Sequence, residues 1–348
     1  PRMTGDFVTP PTAPAPGARA DTPGRARQNV IYRAGISGIT PKVPTGAEKL
    51  EAAARRALLR RPGGRRAWAY IYGGAGSGAT MDANRQAFDR RQLVPRMLRD
   101  TASRDLSTTV LGQRLPAPLL VAPIGAAGLV RRDADLAVGR ASAERGLPYI
   151  LSSQGSSPME ATAAAMGSGP RWFQLYWSSD EQLVDSFIGR AEAIGAGALV
   201  VTLDTTSLGW RPWDLDLGSL PFTRGVGIAQ YTSDPRFMEM VDERVPRAAG
   251  SGGTGGDDDV TITPQAVRTL LEMARNHPGG LRRNLTDPRT REAVQTFLDT
   301  FSNPALSWDH IATLRDRTRL PVVLKGVLHP DDARRAFDAG VDAVMVSN

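Results

Sequence analysis

The sequence predicts an α/β chain built on a parallel sheet, in the form of a (β/α)8 TIM barrel of which about six strands are present. Three observations predict it. Apolar runs of six or seven residues recur at 119–124 (LLVAPI), 148–153 (PYILSS), 172–177 (WFQLYW), 198–203 (ALVVTL), 321–327 (PVVLKGV) and 343–348 (AVMVSN). Amphipathic segments separate them, with apolar residues three and four apart, as in DADLAVGRASAERG and DEQLVDSFIGRAEAIGAG. No dinucleotide glycine fingerprint follows the first run, which favours a barrel over a doubly wound sheet.

The elements follow in chain order. Residues 1–45 are rich in Pro, Ala, Gly and Arg with little to bury, and read as a flexible arm. Residues 46–118 read as an N-terminal helical segment, and 119–348 as the partial barrel. In the last gap, HPDDARRAFDAG places Pro330 in a first helical turn and Gly340 at a C-terminal cap. A long excursion covers 206–307, with a second flexible tract, AAGSGGTGGDDD, at 248–259. On the face where strands end, that excursion reads equally as a lid over a site or as a contact between subunits.

Composition excludes several classes. No run of about 18 apolar residues is present, so no membrane span is expected. The chain has no cysteine, hence no disulfide and no thiolate chemistry, and His277, His310 and His329 are too widely spaced for a local metal motif. The formal charge is +7, but arginines alternate with Asp and Glu, which reads as a solvated surface rather than a nucleic-acid stripe. Lysine occurs only at Lys42, Lys49 and Lys325, so the place of Lys325 is informative.

In a parallel barrel the residues at the strand ends gather on one face. Those ends hold Pro123, Ile124 and Gly125; Ser152; Gln174 and Tyr176; Thr202 and Asp204; and Lys325. Arg211 follows in the stretch VVTLDTTSLGWRP, where an apolar strand gives way to Thr, Asp and Arg. A structural alternative has Asp204 capping the next element and pairing with Arg211. An ammonium beside PVVL needs an anionic neighbour, and Lys325 suits either a Schiff base or the neutralisation of a bound cofactor's charge.

The motifs AYIYGGAGSGATMDANRQAF, APLLVAPIGAAGL, ILSSQGSS, WFQLYW, VVTLDTTSLGWRPWDL, LSWDHIATLRDRTRLPVVLKGVLHPDDARRA and AVMVSN, in this order from about Asn29 onward, resemble the FMN-dependent α-hydroxy acid oxidases and dehydrogenases. NVIYRAGISGITPKVPT and GWRPWDLDLGSLPFTRGVGIAQYTSDPRF resemble the lactate 2-monooxygenase branch of that family. The resemblance implies an FMN-binding barrel. It implies that Pro123, Ile124 and Gly125 pass the flavin N5 edge, and that Ser152, Gln174 and Thr202 hydrogen-bond the ring. Lys325 corresponds to the cation beside the N1 and C2 carbonyl region. Tyr70 and Arg211 correspond to a clamp for the substrate carboxylate, Tyr176 to the phenol near its hydroxyl, and Asp204 to the carboxylate that orients a catalytic histidine. The implied reaction is oxidation of a small (S)-2-hydroxy acid with O2. It yields acetate, carbon dioxide and water if the keto acid is retained, or pyruvate and peroxide if it escapes. A cytoplasmic, tetramer-like homo-oligomer is implied as well.

The family pattern continues beyond VSN with a histidine, an arginine and two further strands bearing the phosphate-binding glycines. The chain is therefore expected to be a partial barrel, inactive and aggregation-prone by itself. Gln154 stands where many members carry a bulky aromatic, which leaves substrate size open. Competing readings are a lysine-dependent aldolase using Lys325, a dinucleotide site at AYIYGGAGSGAT, and a non-catalytic remnant.

Overall fold

A computed structural model describes residues 23–100, 104–250 and 263–348. Among them seven strands are found: β1 (Thr108–Val110), β2 (Gln113–Leu115), β3 (Tyr149–Ser152), β4 (Arg171–Leu175), β5 (Leu199–Thr202), β6 (Val322–Lys325) and β7 (Ala343–Met345). β3 to β7 form one parallel sheet in sequence order, with Ser152 beside Gln174 and Thr202 beside Lys325. The α/β class and parallel order are as expected, and among the described residues the sheet is open, as a partial barrel would be.

The first apolar run departs from expectation. Only Val121 bridges to Tyr149, accepting from Ile150 N and donating to Pro148 O. Pro118 and Pro123 lack the N–H a ladder needs, so this run lines the edge of β3 without becoming a ladder strand.

Alternation along the strands separates two cores. Leu151, Phe173, Leu199, Val201, Val322 and Leu324 face the helices, packing with Leu183, Phe187 and Ile188 of the helix Glu181–Ala193. That helix begins at Asp180, whose side chain accepts from Leu183 N at 2.8 Å. On the opposite face Ile150, Trp172, Ala198, Val200 and Val323 form a second cluster. The antiparallel hairpin β1–β2 closes its lower end with Val110 and Leu111, and Trp172 Nε1 donates to Gln113 Oε1 at 3.4 Å. Its two-residue turn puts Leu111 (φ 49) and Gly112 (φ 76) in the left-handed region, the geometry that suits the twist of a tight hairpin.

Helix Pro330–Asp338 starts and stops as its sequence predicts, with Gly340 at φ 79 just beyond it. The excursion is a packed helical layer whose ring cluster Phe222, Tyr231, Phe297 and Phe301 abuts Phe187 through Tyr231 at 5.0 Å. The expected arm contains a helix at Pro23–Ile36, and residues 1–22 lie outside the described residues. Of the tract 248–259, residues 248–250 end the helix Pro235–Gly250, and the rest lies outside them too. Among the described residues no helix is long and apolar enough to cross a membrane.

Candidate active site at the strand tips

Ser152, Gln174, Thr202 and Lys325 lie at the C-terminal ends of β3 to β6, each two residues beyond a member of the inner apolar cluster. A period of two therefore turns them all to the same face. Gln174 Oε1 accepts from Ser152 Oγ at 3.0 Å and from Ser153 N at 3.2 Å. Ser152 Oγ in turn accepts from Gln154 N at 3.1 Å. This fixes the Gln174 amide, yet its Nε2 is buried without a partner, and so is Thr202 Oγ1. They are two of eight such atoms among the described residues, and they share one sheet face on adjacent strands, where a polar ligand edge would fit.

Lys325 Nζ lies 3.6 Å from Asp204 Oδ2 and donates to Ser347 Oγ at 3.0 Å. Thr205 Oγ1 donates to Asp204 Oδ1 at 3.1 Å. The approach of Asp204 to the end of β6 requires Gly326: it has φ +100, and a Cβ there would sit 2.9 Å from Asp204 Cβ. Tyr176 lies close enough to Asp204 for the carboxylate charge to act on its phenol. Burial, with the Asp204 charge adding to it, raises the Tyr176 phenol above its ordinary value.

Tyr70 lies on the helix Gly64–Tyr72, close enough to Tyr176 for the two phenols to interact. Burial pushes it up to about 12, opposed by the nearby Arg211. Arg211 Cζ sits 4.9 Å from the Tyr70 ring centroid. Its Nη2 donates to the Tyr70 and Gly73 carbonyls, and its Nε donates to Asp214 Oδ2 at 2.6 Å. The Asp204–Arg211 pairing is thus not observed. Arg211 pairs with Asp214, three residues on in the first turn of the helix Pro212–Leu215, and Asp204 pairs with Lys325.

Pro123, Ile124 and Gly125 follow the Val121 bridge. A Cβ at Gly125 would meet Gln154 Oε1 at 3.0 Å, and Ala126 N donates to Gln154 O at 2.9 Å, so this segment lies against the Ser152–Gln154 turn. The sequence-predicted residues fall into three linked groups: Ser152–Gln174 with Gly125; Thr202–Lys325–Asp204–Tyr176; and Tyr70–Arg211. Asp214, Ser347 and Gln230 are neighbours of the site that the sequence pattern does not single out. Gln230 braces the site's first turn, accepting from Met159 N at 2.8 Å and donating to Ser152 O and Ser157 O. Only Asp214 had a visible signal, its (i, i+3) spacing from Arg211 across the helix-starting Pro212.

The three histidines are elsewhere. His310 joins a capping box with Ser307, His329 caps Asp331 N, and His277 is near Pro278 O. Among the described residues no cluster could hold a metal ion.

Residues 60–348 match the family described as FMN-dependent dehydrogenase. The chain belongs to that family. It is 36% identical over 322 residues to the FMN-dependent alpha-hydroxy acid dehydrogenase qulF of Penicillium citrinum, covering 92% of this chain and 69% of that protein. Over 279 residues it is 34% identical to the L-lactate oxidase of Lysinibacillus sphaericus, covering 80% and 61%. Among solved structures, mandelate oxidase with 3,3-difluoro-2-hydroxy-3-phenylpropionic acid matches with a TM-score of 0.60 and 30% identity, covering 85% of this chain and 67% of that one. A mandelate oxidase mutant with the C4a-OH-FMN adduct matches with a TM-score of 0.60 and 28% identity, covering 85% and 68%. The chain therefore spans about two thirds of the length of these relatives. FMN is the family's cofactor, and the orphaned Gln174 Nε2 and Thr202 Oγ1 beside a fixed cation fit a polar, electron-accepting ring edge.

Proposed function

We propose that the strand tips of this chain hold the isoalloxazine ring of FMN and that the protein oxidises a small (S)-2-hydroxy acid in the manner of a lactate 2-monooxygenase. One observation carries the reading: a partly buried cation, two unsatisfied buried polar atoms and two raised phenols converge at the ends of four parallel strands. Bound FMN would supply the two-electron oxidant. Gln174 Nε2 and Thr202 Oγ1 would hydrogen-bond the ring's polar edge, and Ser152 would keep the Gln174 amide oriented. Lys325, held by Asp204 and Ser347, would place positive charge where the reduced ring is negative. Tyr70 and Tyr176, kept as neutral phenols well above neutral pH, would donate to the substrate's carboxylate and oxygen. Arg211 beside Tyr70 would add charge to that clamp. Gly125, small and set against Gln154, would leave room at the ring's reacting edge. A cytoplasmic homo-oligomer accompanies this reading.

A second reading, a hydroxy acid oxidase or dehydrogenase releasing the keto acid, is favoured by the names of the relatives, among them an L-lactate oxidase and a 4-hydroxymandelate oxidase. Fluorescence titration with FMN tests the site, and a marked loss of affinity in Lys325→Met is the expected result. Product analysis with L-lactate and oxygen, acetate against pyruvate with peroxide, separates the two readings. Failure of FMN to bind at any concentration overturns both.

A further inference from the structure

We propose that a second cavity, between the helix Gly64–Tyr72 and the segment Pro221–Arg224, binds a small dianion of phosphate or dicarboxylate type through Arg66 and Arg224. The cavity has a volume of about 230 Å3, and its walls include Arg61, Arg66, Arg224 and Glu272. Its charges do not balance among the described residues. One carboxylate, Glu272, faces three guanidinium groups: Arg224 at 2.7 Å, Arg268 at 3.4 Å and Arg66 at 3.5 Å. Arg268 is half-exposed and lies outside the walls, so among the wall residues Arg61, Arg66 and Arg224 face one carboxylate, an excess of two.

The excess is partly desolvated. The Arg224 side chain is 11% exposed, and its Nε is buried without a partner. The Arg66 side chain is 21% exposed, and burial followed by the Arg224 charge pulls its guanidinium below the ordinary arginine range. Like charges drawn together in a poorly solvated cavity are relieved by a bound anion, and the planar arginine fork matches both phosphate and carboxylate oxygens. Leu58, Leu129 and Val226 form apolar walls that limit the occupant's size. The space suits a single phosphate or a short dicarboxylate, below the range of nucleotide-sized pockets.

The position gives the site a consequence. Arg66 is one helical turn from Tyr70 on the same helix, and Phe222, two residues from Arg224, packs edge-on to the Tyr70 ring at 6.3 Å. An anion joining Arg66 to Arg224 would brace both elements that hold Tyr70. None of these cavity residues belongs to the strand tips, so the inference stands apart from the flavin reading.

The test uses the purified chain with inorganic phosphate, malonate and, at matched ionic strength, sodium chloride. The readouts are thermal unfolding and 31P line broadening. The expected result is a saturable rise in Tm of a few degrees with phosphate, absent with chloride, and broadening of the phosphate signal. A matching response to malonate assigns a general dianion site, and a response to phosphate alone assigns a phosphate site. Arg224→Gln abolishes the saturable rise and the broadening, Arg66→Lys weakens binding about tenfold through loss of the fork, and the exposed Arg132→Gln changes neither. Should Arg224→Gln fail to fold, Arg66→Lys decides. A response no larger than that of chloride, or one unchanged in both cavity variants, overturns the proposal.

Discussion

The inner face of the sheet holds two regions made by the same strands and separated by one side-chain repeat. Ile150, Trp172, Val200 and Val323 are apolar, close-packed and plugged by the hairpin. Ser152, Gln174, Thr202 and Lys325 are polar, and two of their atoms are left without partners. An unsatisfied buried polar group costs about 1–3 kcal/mol. The upper row is therefore locally destabilising, and the lower row and the outer helical layer offset it. The difference teaches that packing and unsatisfied polarity occupy successive levels of one face, and on the proposed flavin reading substitutions in the two rows should separate stability from ligand binding.

The largest effect should come from the lower row. Trp172→Ala removes the biggest buried side chain of the inner cluster and its contact with the hairpin. It should lower unfolding free energy by about 3–5 kcal/mol in a urea titration. Any FMN binding that remains in folded protein should keep its affinity within about twofold. A large change in that affinity would break the comparison, because it would make the rows interdependent.

Next comes a pH effect confined to buried and half-buried phenols. Tyr70, Tyr149, Tyr176 and Tyr231 all have folded pKa values raised chiefly by burial, Tyr70 to about 12. A raised folded value means that the native state keeps its proton when the unfolded state has lost it. Stability from these groups is thus fully present below the ordinary phenol value near 10 and is lost as pH rises through the folded values. Ultraviolet titration of phenolate should show these four tyrosines ionising late and together with unfolding. Ionisation of Tyr70 near pH 10 in native protein would contradict its burial.

Lys325→Met should reduce FMN affinity by about 10–100-fold, the equivalent of losing a charged hydrogen bond of about 1.5–3 kcal/mol. The stability change should be smaller, about 1 kcal/mol, because the Lys325–Asp204 pair retains some solvent at 18% and 22% side-chain exposure. Fluorescence titration and urea unfolding on the same preparation would compare the two.

Much of this division was legible in the sequence. The strand tips could be read because parallel strands announce themselves as apolar runs, and a single polar residue at the end of each run has few other reasons to be there. The contact between Asp204 and Lys325, 121 positions apart, followed only from assuming that all the tips share one face. Other features had no such signal. The β1–β2 turn places Leu111 in the left-handed region, where Asn or Gly would have announced it. Prolines at 118 and 123 reduced a convincing apolar run to a bridge. The Gln230 side-chain amide reaches the Ser152 carbonyl from 78 residues away, and a backbone acceptor leaves no trace in side-chain pattern.

Thr202→Val gives the smallest and sharpest contrast. The two side chains have nearly the same shape, so packing at the end of β5 is retained while the orphaned Oγ1 is replaced by a methyl group. Removal of a buried, unpaired hydroxyl should leave the ligand-free chain equally stable or more stable by up to about 1 kcal/mol, measured by urea unfolding. The same change should weaken FMN binding by about 5–10-fold, since the ring edge would meet a methyl where a hydrogen-bonding oxygen stood. Opposite signs from one isosteric substitution would identify Thr202 as a residue kept for a ligand although it weakens the fold. Loss of stability together with unchanged FMN affinity would instead make the hydroxyl part of the scaffold, and the division between the two rows would fail at β5.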